Sequence, residues 1–105
     1  MTEPTIAIES PDQPEVQAMF DEARALYLTM YPGGRSCLPQ IVDLMNPDTT
    51  FWIVREDSKA IGCGALTRND GWGEIKRMWV APDARGLGIA QRVLDAIKSL
   101  EPKLK

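Results

Sequence analysis

The chain has 105 residues, of which 44% are hydrophobic and 26% are charged, and its formal net charge is −3. These values predict one globular domain and argue against a nucleic-acid partner, because no basic stripe is present. No apolar run approaches the roughly 18 residues that span a bilayer, and the acidic N-terminus lacks the apolar core of an export signal. We therefore expect a cytoplasmic protein without a membrane partner and with reduced cysteines. The absence of histidine excludes serine–histidine and cysteine–histidine nucleophile pairs and most zinc sites, so we expect no metal.

The first half of the chain predicts one strand followed by two helices. Residues 5–8 are rich in β-branched side chains, which is typical of a short strand. Apolar residues recur three and four positions apart over residues 15–30, which predicts a helix with one apolar face. Asp12 and Glu15 resemble a capping box at its start. A second, short helix is predicted from four further apolar residues, Leu38, Ile41, Val42 and Met45.

The second half predicts three antiparallel strands and a closing helix. The strands are aromatic and β-branched segments separated by turn sequences, at residues 49–56, 60–67 and 72–80. Gly62 and Gly64 in the middle strand leave room for a helix to approach closely. An apolar face from Ile89 to Leu100 predicts the closing helix. The resulting order, β-α-α-β-β-β-α, is not the alternation of a doubly wound sheet.

The loop before the closing helix indicates an anion site. Gly86 and Gly88 follow the strand that ends at Val80, and glycine lets backbone amides approach a ligand closely. The first N–H groups of a helix lack partners and attract anions, and Arg85 can add a charge-assisted contact. Either a phosphate site or a simple tight turn would account for the glycines. A dinucleotide fingerprint would require glycine or alanine at Gln91, and a P-loop would require Gly-Lys-Ser/Thr.

The loop sequence fits a known motif. Residues Arg85, Gly86, Leu87, Gly88, Ile89 and Ala90 match the pattern Gln/Arg-x-x-Gly-x-Gly/Ala, after the strand EIKRMWV and before QRVLDAI. With the order of elements, the motif resembles the coenzyme-A loop of the GNAT superfamily of N-acetyltransferases. The resemblance implies an α+β fold with three α/β/α layers and a mostly antiparallel sheet. It also implies a single partial domain over residues 1–105, truncated before the family's usual last strands.

The resemblance implies an acetyl-CoA-dependent transferase that acts on a primary amine of a small molecule or peptide. Arg85–Ala90 would bind the coenzyme-A pyrophosphate, and the backbone of Met78, Trp79 and Val80 would pair with the pantetheine arm. Glu74 would be the general base for the attacking amine. The alternative is a non-catalytic acyl-CoA-binding module or an oligomeric truncated module. Because the last strand would be an uncovered edge, we expect a homodimer.

Several candidate residues also have a structural interpretation. Strict alternation along the last strand places one set of side chains on one face, Glu74, Lys76, Met78 and Val80, and the other set opposite, Ile75, Arg77 and Trp79. Glu74 could therefore merely pair with Lys76. Cys63, between two glycines, predicts a buried packing residue rather than a nucleophile. In the family the segment 31–38 helps to form the acceptor pocket, where Arg35 would suit an acidic acceptor.

Overall fold

The computed structural model describes residues 3–31 and 40–101. Its four strands form one antiparallel sheet in the order β1-β2-β3-β4. They are β1 (Thr5–Ile8), β2 (Thr49–Glu56), β3 (Lys59–Asn69) and β4 (Trp72–Val80). The helices are α1 (Pro14–Met30) and α2 (Ile89–Leu100), with short 3-10 turns at Ile41–Leu44 and Pro82–Ala84. The predicted strands and both long helices are confirmed, with bounds that differ by at most two residues.

The two long helices pack on opposite faces of the sheet. On one face, the first turns of α1 meet β2 and β3 in a buried cluster that includes Val16, Met19, Phe20, Phe51, Ile53 and Ala65. On the other face, α2 buries a second cluster that includes Ile89, Val93, Ile97, Trp52, Val54 and Leu66. The predicted three-layer α/β/α arrangement is therefore confirmed.

Two glycines of β3 set the distance between the sheet and α2. A Cβ atom on Gly62 would lie 2.9 Å from Cγ2 of Ile89, and one on Gly64 would overlap Cγ1 of Val93. Glycine thus lets the helix axis approach the sheet closely, as the sequence predicts. The close approach helps to bury Ile89, which is 2% exposed. Burial of Ile89 holds the first turn of α2 against the sheet.

The start of α1 differs from the predicted capping box. Gln13 is the residue before the helix and makes no side-chain capping hydrogen bond, and Pro14 occupies the first turn. Glu15 instead accepts a hydrogen bond from Nη1 of Arg55 at 3.0 Å. Arg55 also contacts Glu9, with Nη2 2.9 Å from Oε1. The ion pair with a residue forty positions away replaces the local cap, so the predicted role of Asp12 and Glu15 was wrong.

The second predicted helix is only a 3-10 turn at Ile41–Leu44. Such a turn has about three residues per turn, so positions three apart share a side. Leu44 is 2% exposed and belongs to the buried cluster between α1 and the sheet. Val42 and Met45 are 75% and 50% exposed. The predicted apolar face was therefore wrong at Val42 and Met45. Leu38 lies outside the described residues.

No helix within residues 3–31 and 40–101 is long and apolar enough to cross a membrane.

Candidate functional site

A β-bulge in β4 decides which side chains face which helix. The pairing register shifts between Cys63 and Ala65 of β3, so Arg77 and Met78 of β4 both lie opposite Gly64. Arg77 adopts the left-handed conformation, with φ at +53°, which is uncommon for a residue other than glycine. A bulge of this kind re-aims the side chains that follow it.

The bulge overturns the alternation predicted for β4. Met78 and Val80 pack against the buried cluster between α2 and the sheet. Glu74 and Lys76 line a cavity beside α1. These four residues therefore do not share one face, because the extra residue reverses the alternation between Lys76 and Met78. The candidate base lies on the α1 side of the sheet, away from the face covered by α2.

The cavity beside α1 has a volume of about 630 Å³. It opens between β4 and the second half of α1, and its lining consists of Ala23, Leu26, Tyr27, Met30, Tyr31, Glu74, Ile75, Lys76, Arg77, Met78 and Trp79. Leu26 and Met30 are 39% and 62% exposed. The apolar face of α1 therefore extends beyond the core and forms one wall of an open cavity.

Glu74 lies beside a cation at this cavity. Its Oε1 atom is 3.8 Å from Nζ of Lys76, and the two side chains are 45% and 31% exposed. The structural interpretation, an ion pair with Lys76, is therefore observed. A pair this exposed and this long contributes little to stability. The Glu74 carboxylate is accessible because its side chain is 45% exposed and lines the cavity.

Two hydrogen-bond donors in the cavity lining are enclosed without acceptors. Nε of Arg77 and Nε1 of Trp79 are buried and have no hydrogen-bond partner among the described residues. The Arg77 guanidinium carbon lies 3.8 Å from the centre of the Phe20 ring. Burial lowers the pKa of Arg77 from its usual value. The bulge thus holds a cation over an aromatic ring in a partly dry environment, a feature that the sequence did not indicate.

Cys63 packs beneath this part of β4. It is 1% exposed, and its Sγ donates a hydrogen bond to the carbonyl oxygen of Arg77 at 3.3 Å. Burial raises the pKa of the thiol to about 12, so the nucleophilic thiolate is scarce near neutral pH. The predicted packing role is confirmed.

The glycine loop has the backbone conformation that only glycine adopts easily. Gly86 and Gly88 have φ angles of +86° and +77°, and a Cβ atom on either would meet nothing within 4 Å. Their requirement for glycine therefore arises from the backbone and not from crowding. A small cavity of about 130 Å³ lies at the loop and is lined by Val80, Ala84, Arg85, Gly86, Gly88, Ile89 and Ala90.

The N-terminus of α2 opens directly from this loop. Gly88 is the residue before the helix, and its carbonyl accepts the first helical hydrogen bond, which the Arg92 N–H donates at 3.1 Å. The N–H groups of Ile89, Ala90 and Gln91 therefore precede the helical ladder. With the helix dipole they form a region that attracts an anion.

The end of β4 leads into the same loop. The Ala81 N–H bonds the Ile61 carbonyl of β3 at 2.9 Å, so the backbone groups of Val80, one residue earlier, point to the outer edge of β4. Nε of Arg85 donates to the Val80 carbonyl at 3.0 Å, and its guanidinium lies 4.6 Å from the Trp79 ring. Among the described residues, no strand pairs with this outer edge.

The remaining sequence candidates lie elsewhere. Most of the predicted acceptor segment 31–38, including Arg35, lies outside the described residues, and only Tyr31 is seen, at the cavity beside α1. Within the described part of the chain, no cluster of three or more His, Cys, Asp or Glu side chains could hold a metal ion.

Comparisons with known proteins agree with this fold. A chain from Klebsiella pneumoniae with a provisional assignment as an acyl-CoA N-acyltransferase superimposes with a TM-score of 0.74 at 24% identity, over 92% of this chain and 62% of that one. An aminoglycoside 6′-N-acetyltransferase solved with coenzyme A gives a TM-score of 0.71 at 17% identity, over 91% of this chain and 54% of that one. At these identities the likeness shows the fold alone.

Sequence comparison identifies the family. An IAA acetyltransferase from Azospirillum brasilense is 38% identical over 96 residues, which are 90% of this chain. This chain spans 63% of that relative's length. The model of the Acetyltransferase (GNAT) family matches residues 16–100. The chain therefore belongs to the GNAT acetyltransferase family.

Proposed function

We propose that the protein transfers an acetyl group from acetyl-coenzyme A to a primary amine of a small molecule or peptide. The observation that carries this proposal is the continuity between the open edge of β4, the glycine loop and the N-terminus of α2. An extended thioester arm with a pyrophosphate at one end matches an open strand edge that leads to an anion site. The family membership supports the same reading.

In this proposal the loop Arg85–Ala90 binds the pyrophosphate. The left-handed glycines at 86 and 88 leave the backbone accessible, and the N–H groups at the start of α2 supply donors. Arg85 is held beside the loop by its bond to the Val80 carbonyl, from which its other guanidinium N–H groups can contact a phosphate.

The pantetheine arm is proposed to run along the backbone of Met78, Trp79 and Val80. Val80 is the member whose backbone groups face the open edge, as its neighbour's bond to β3 requires. The Val80 N–H is therefore the candidate donor to the part of the pantetheine arm next to the pyrophosphate. Backbone N–H groups earlier in β4, nearer to Glu74, are proposed to polarise the thioester carbonyl, whose oxygen gains negative charge when the amine attacks.

Glu74 is proposed as the general base. An amine reaches the site as an ammonium ion, and a carboxylate at the cavity can accept its proton directly or through one water. The neutral nitrogen then forms a bond to the thioester carbon, the carbon–sulfur bond breaks, and the coenzyme-A thiolate takes up a proton. Lys76 lies 3.8 Å from Glu74 and places a positive charge beside the proposed base.

Thiol release from acetyl-coenzyme A across a panel of primary amines tests this function. Glu74→Gln should lower turnover at neutral pH by about 10²-fold or more, with partial recovery at high pH, where the amine is already neutral. Glu22→Gln, an exposed change on α1, is the matched control and should leave turnover unchanged. Unchanged turnover in Glu74→Gln would remove the base role.

A non-catalytic acyl-CoA-binding module is the second candidate. It is favoured by the outer edge of β4, which no described strand covers. Coenzyme-A binding without thiol release from any amine would support it. A homodimer whose helices meet across a two-fold axis, which leaves the β4 edge to the coenzyme arm, is the matching assembly, and sedimentation measures it. The single-domain organisation and the cytoplasmic location stay predictions.

A further inference from the structure

We infer that the acceptor amine also carries a carboxylate, and that Arg77 binds this group in the cavity between α1 and β4. The inference rests on the proposed transfer function and names the class of its acceptor. The acceptor is accordingly a small molecule with an apolar body, an amine at one end and a carboxylate at the other.

No aspartate or glutamate within the described ranges compensates the charge of Arg77. Every aspartate and glutamate of the sequence lies within the described residues, and none of them forms an ion pair with Arg77. Its Nε atom is enclosed without an acceptor. Because a partly buried cation without an anion is unfavourable, a ligand carboxylate would satisfy a requirement that the described residues leave open.

The backbone holds Arg77 in this position at a cost. The residue lies in the bulge of β4 with φ at +53°, and strained backbone of this kind is frequently associated with functional sites. Its guanidinium carbon lies 3.8 Å from the centre of the Phe20 ring. Because Nε is enclosed, the terminal Nη1 and Nη2 groups are the donors available for paired hydrogen bonds to a carboxylate in the cavity.

The rest of the lining favours the same ligand. The lining contains two cations, Lys76 and Arg77, against one carboxylate, Glu74. An ammonium group can approach Glu74 while a carboxylate approaches Arg77, which leaves the apolar body against the α1 wall.

The size of the cavity indicates a small molecule. A volume of about 630 Å³ lies in the usual range for small-molecule sites. Leu26 and Met30 expose apolar surface on this wall, which suits an aromatic or aliphatic body. The combination selects an amine that joins an apolar body to a carboxylate over a polyamine or a basic peptide.

Calorimetric titration with matched probe pairs tests the inference in the 105-residue protein without acetyl-coenzyme A. The pairs are phenylalanine with phenylalaninamide and 3-(aminomethyl)benzoate with its carboxamide. At least one carboxylate should bind roughly tenfold to a hundredfold more tightly than its amide, as expected for a hydrogen bond between charged groups. Arg77→Gln should remove this difference, Arg77→Lys should keep part of it, and Arg68→Gln, on the exposed end of β3, should keep it all.

Equal affinity of both members in every pair, or a carboxylate preference that survives Arg77→Gln, overturns the inference. If a variant fails to fold, the affinities of the carboxylates and their amides for the unsubstituted protein decide whether the acceptor carries a carboxylate. Thiol release with acetyl-coenzyme A separates this inference from the transfer function. A carboxylate preference in binding without thiol release would refute transfer and retain the role of Arg77. Equal thiol release from amines with and without a carboxylate would retain the transfer function and refute the role of Arg77.

Discussion

Two glycines with the same backbone conformation allow the role of the loop to be separated from its effect on stability. Gly88 precedes α2 with φ at +77°, and Gly71 lies in the β3–β4 turn with φ at +78°. A Cβ atom on either would contact nothing within 4 Å. Alanine at either position therefore costs only the left-handed backbone term, about 1–2 kcal/mol. For a domain of this length each kcal/mol lowers the melting temperature by about 4–8 °C.

The two substitutions should differ in coenzyme-A binding. The methyl group of Gly88→Ala occupies open space at the proposed pyrophosphate site, so the affinity should fall about tenfold or more, which is about 1.4 kcal/mol. Gly71→Ala should leave the affinity unchanged. Thermal unfolding measures the first quantity, and calorimetric titration with coenzyme A, below both melting temperatures, measures the second. An equal loss of affinity in both variants, or full affinity in Gly88→Ala, would refute the proposed role of the loop.

Three further predictions concern stability and reactivity. Gly64→Ala should destabilise the fold by about 1–3 kcal/mol in urea unfolding, since its Cβ would overlap Val93; a neutral effect would show that α2 packs less closely than described. The hydrogen bond from Arg55 lowers the pKa of Glu9 from its usual 4.5, so its stabilisation is present above that pH and is lost as the pH falls through the lowered value. Arg55→Gln should remove about 1 kcal/mol near neutral pH and flatten the acid limb of the stability curve, and an unchanged limb would contradict this cause. Cys63 should resist iodoacetamide at pH 8 until the protein unfolds, because burial raises the pKa of its thiol to about 12; alkylation of the folded protein at the rate of a free cysteine, measured by mass spectrometry, would show that it is accessible.

Local sequence chemistry was sufficient to predict most of the fold. The strand bounds follow from β-branched segments between turns, and the Asp70–Gly71 turn joins paired strands as its sequence predicts. Gly62 and Gly64 predicted the close packing of a helix, and both lie against α2. These features depend on residues adjacent in sequence or on one repeating period, so a single sequence can reveal them.

The features that the sequence did not reveal depend on long-range contacts. The bulge at Arg77 adds one residue to β4, and nothing in EIKRMWV indicates where alternation stops. The pairing of Arg55 with Glu15 bridges forty positions and displaces a local cap that looked adequate. The apolar stripe of α1 predicted the helix but not its division into a buried half and the cavity wall at Met30.

Nuclear magnetic resonance of the backbone amides tests the central claim most directly. Titration of the isotope-labelled protein with coenzyme A should shift the amide resonances of Gly86, Gly88, Ile89 and Ala90, and the distant Gly71 amide is the internal reference. Pantetheine, which lacks the pyrophosphate, should shift the loop amides much less at the same concentration. Coenzyme A bound at this loop should give saturable shifts confined to the loop and the β4 edge. Unshifted loop amides at millimolar coenzyme A would contradict it.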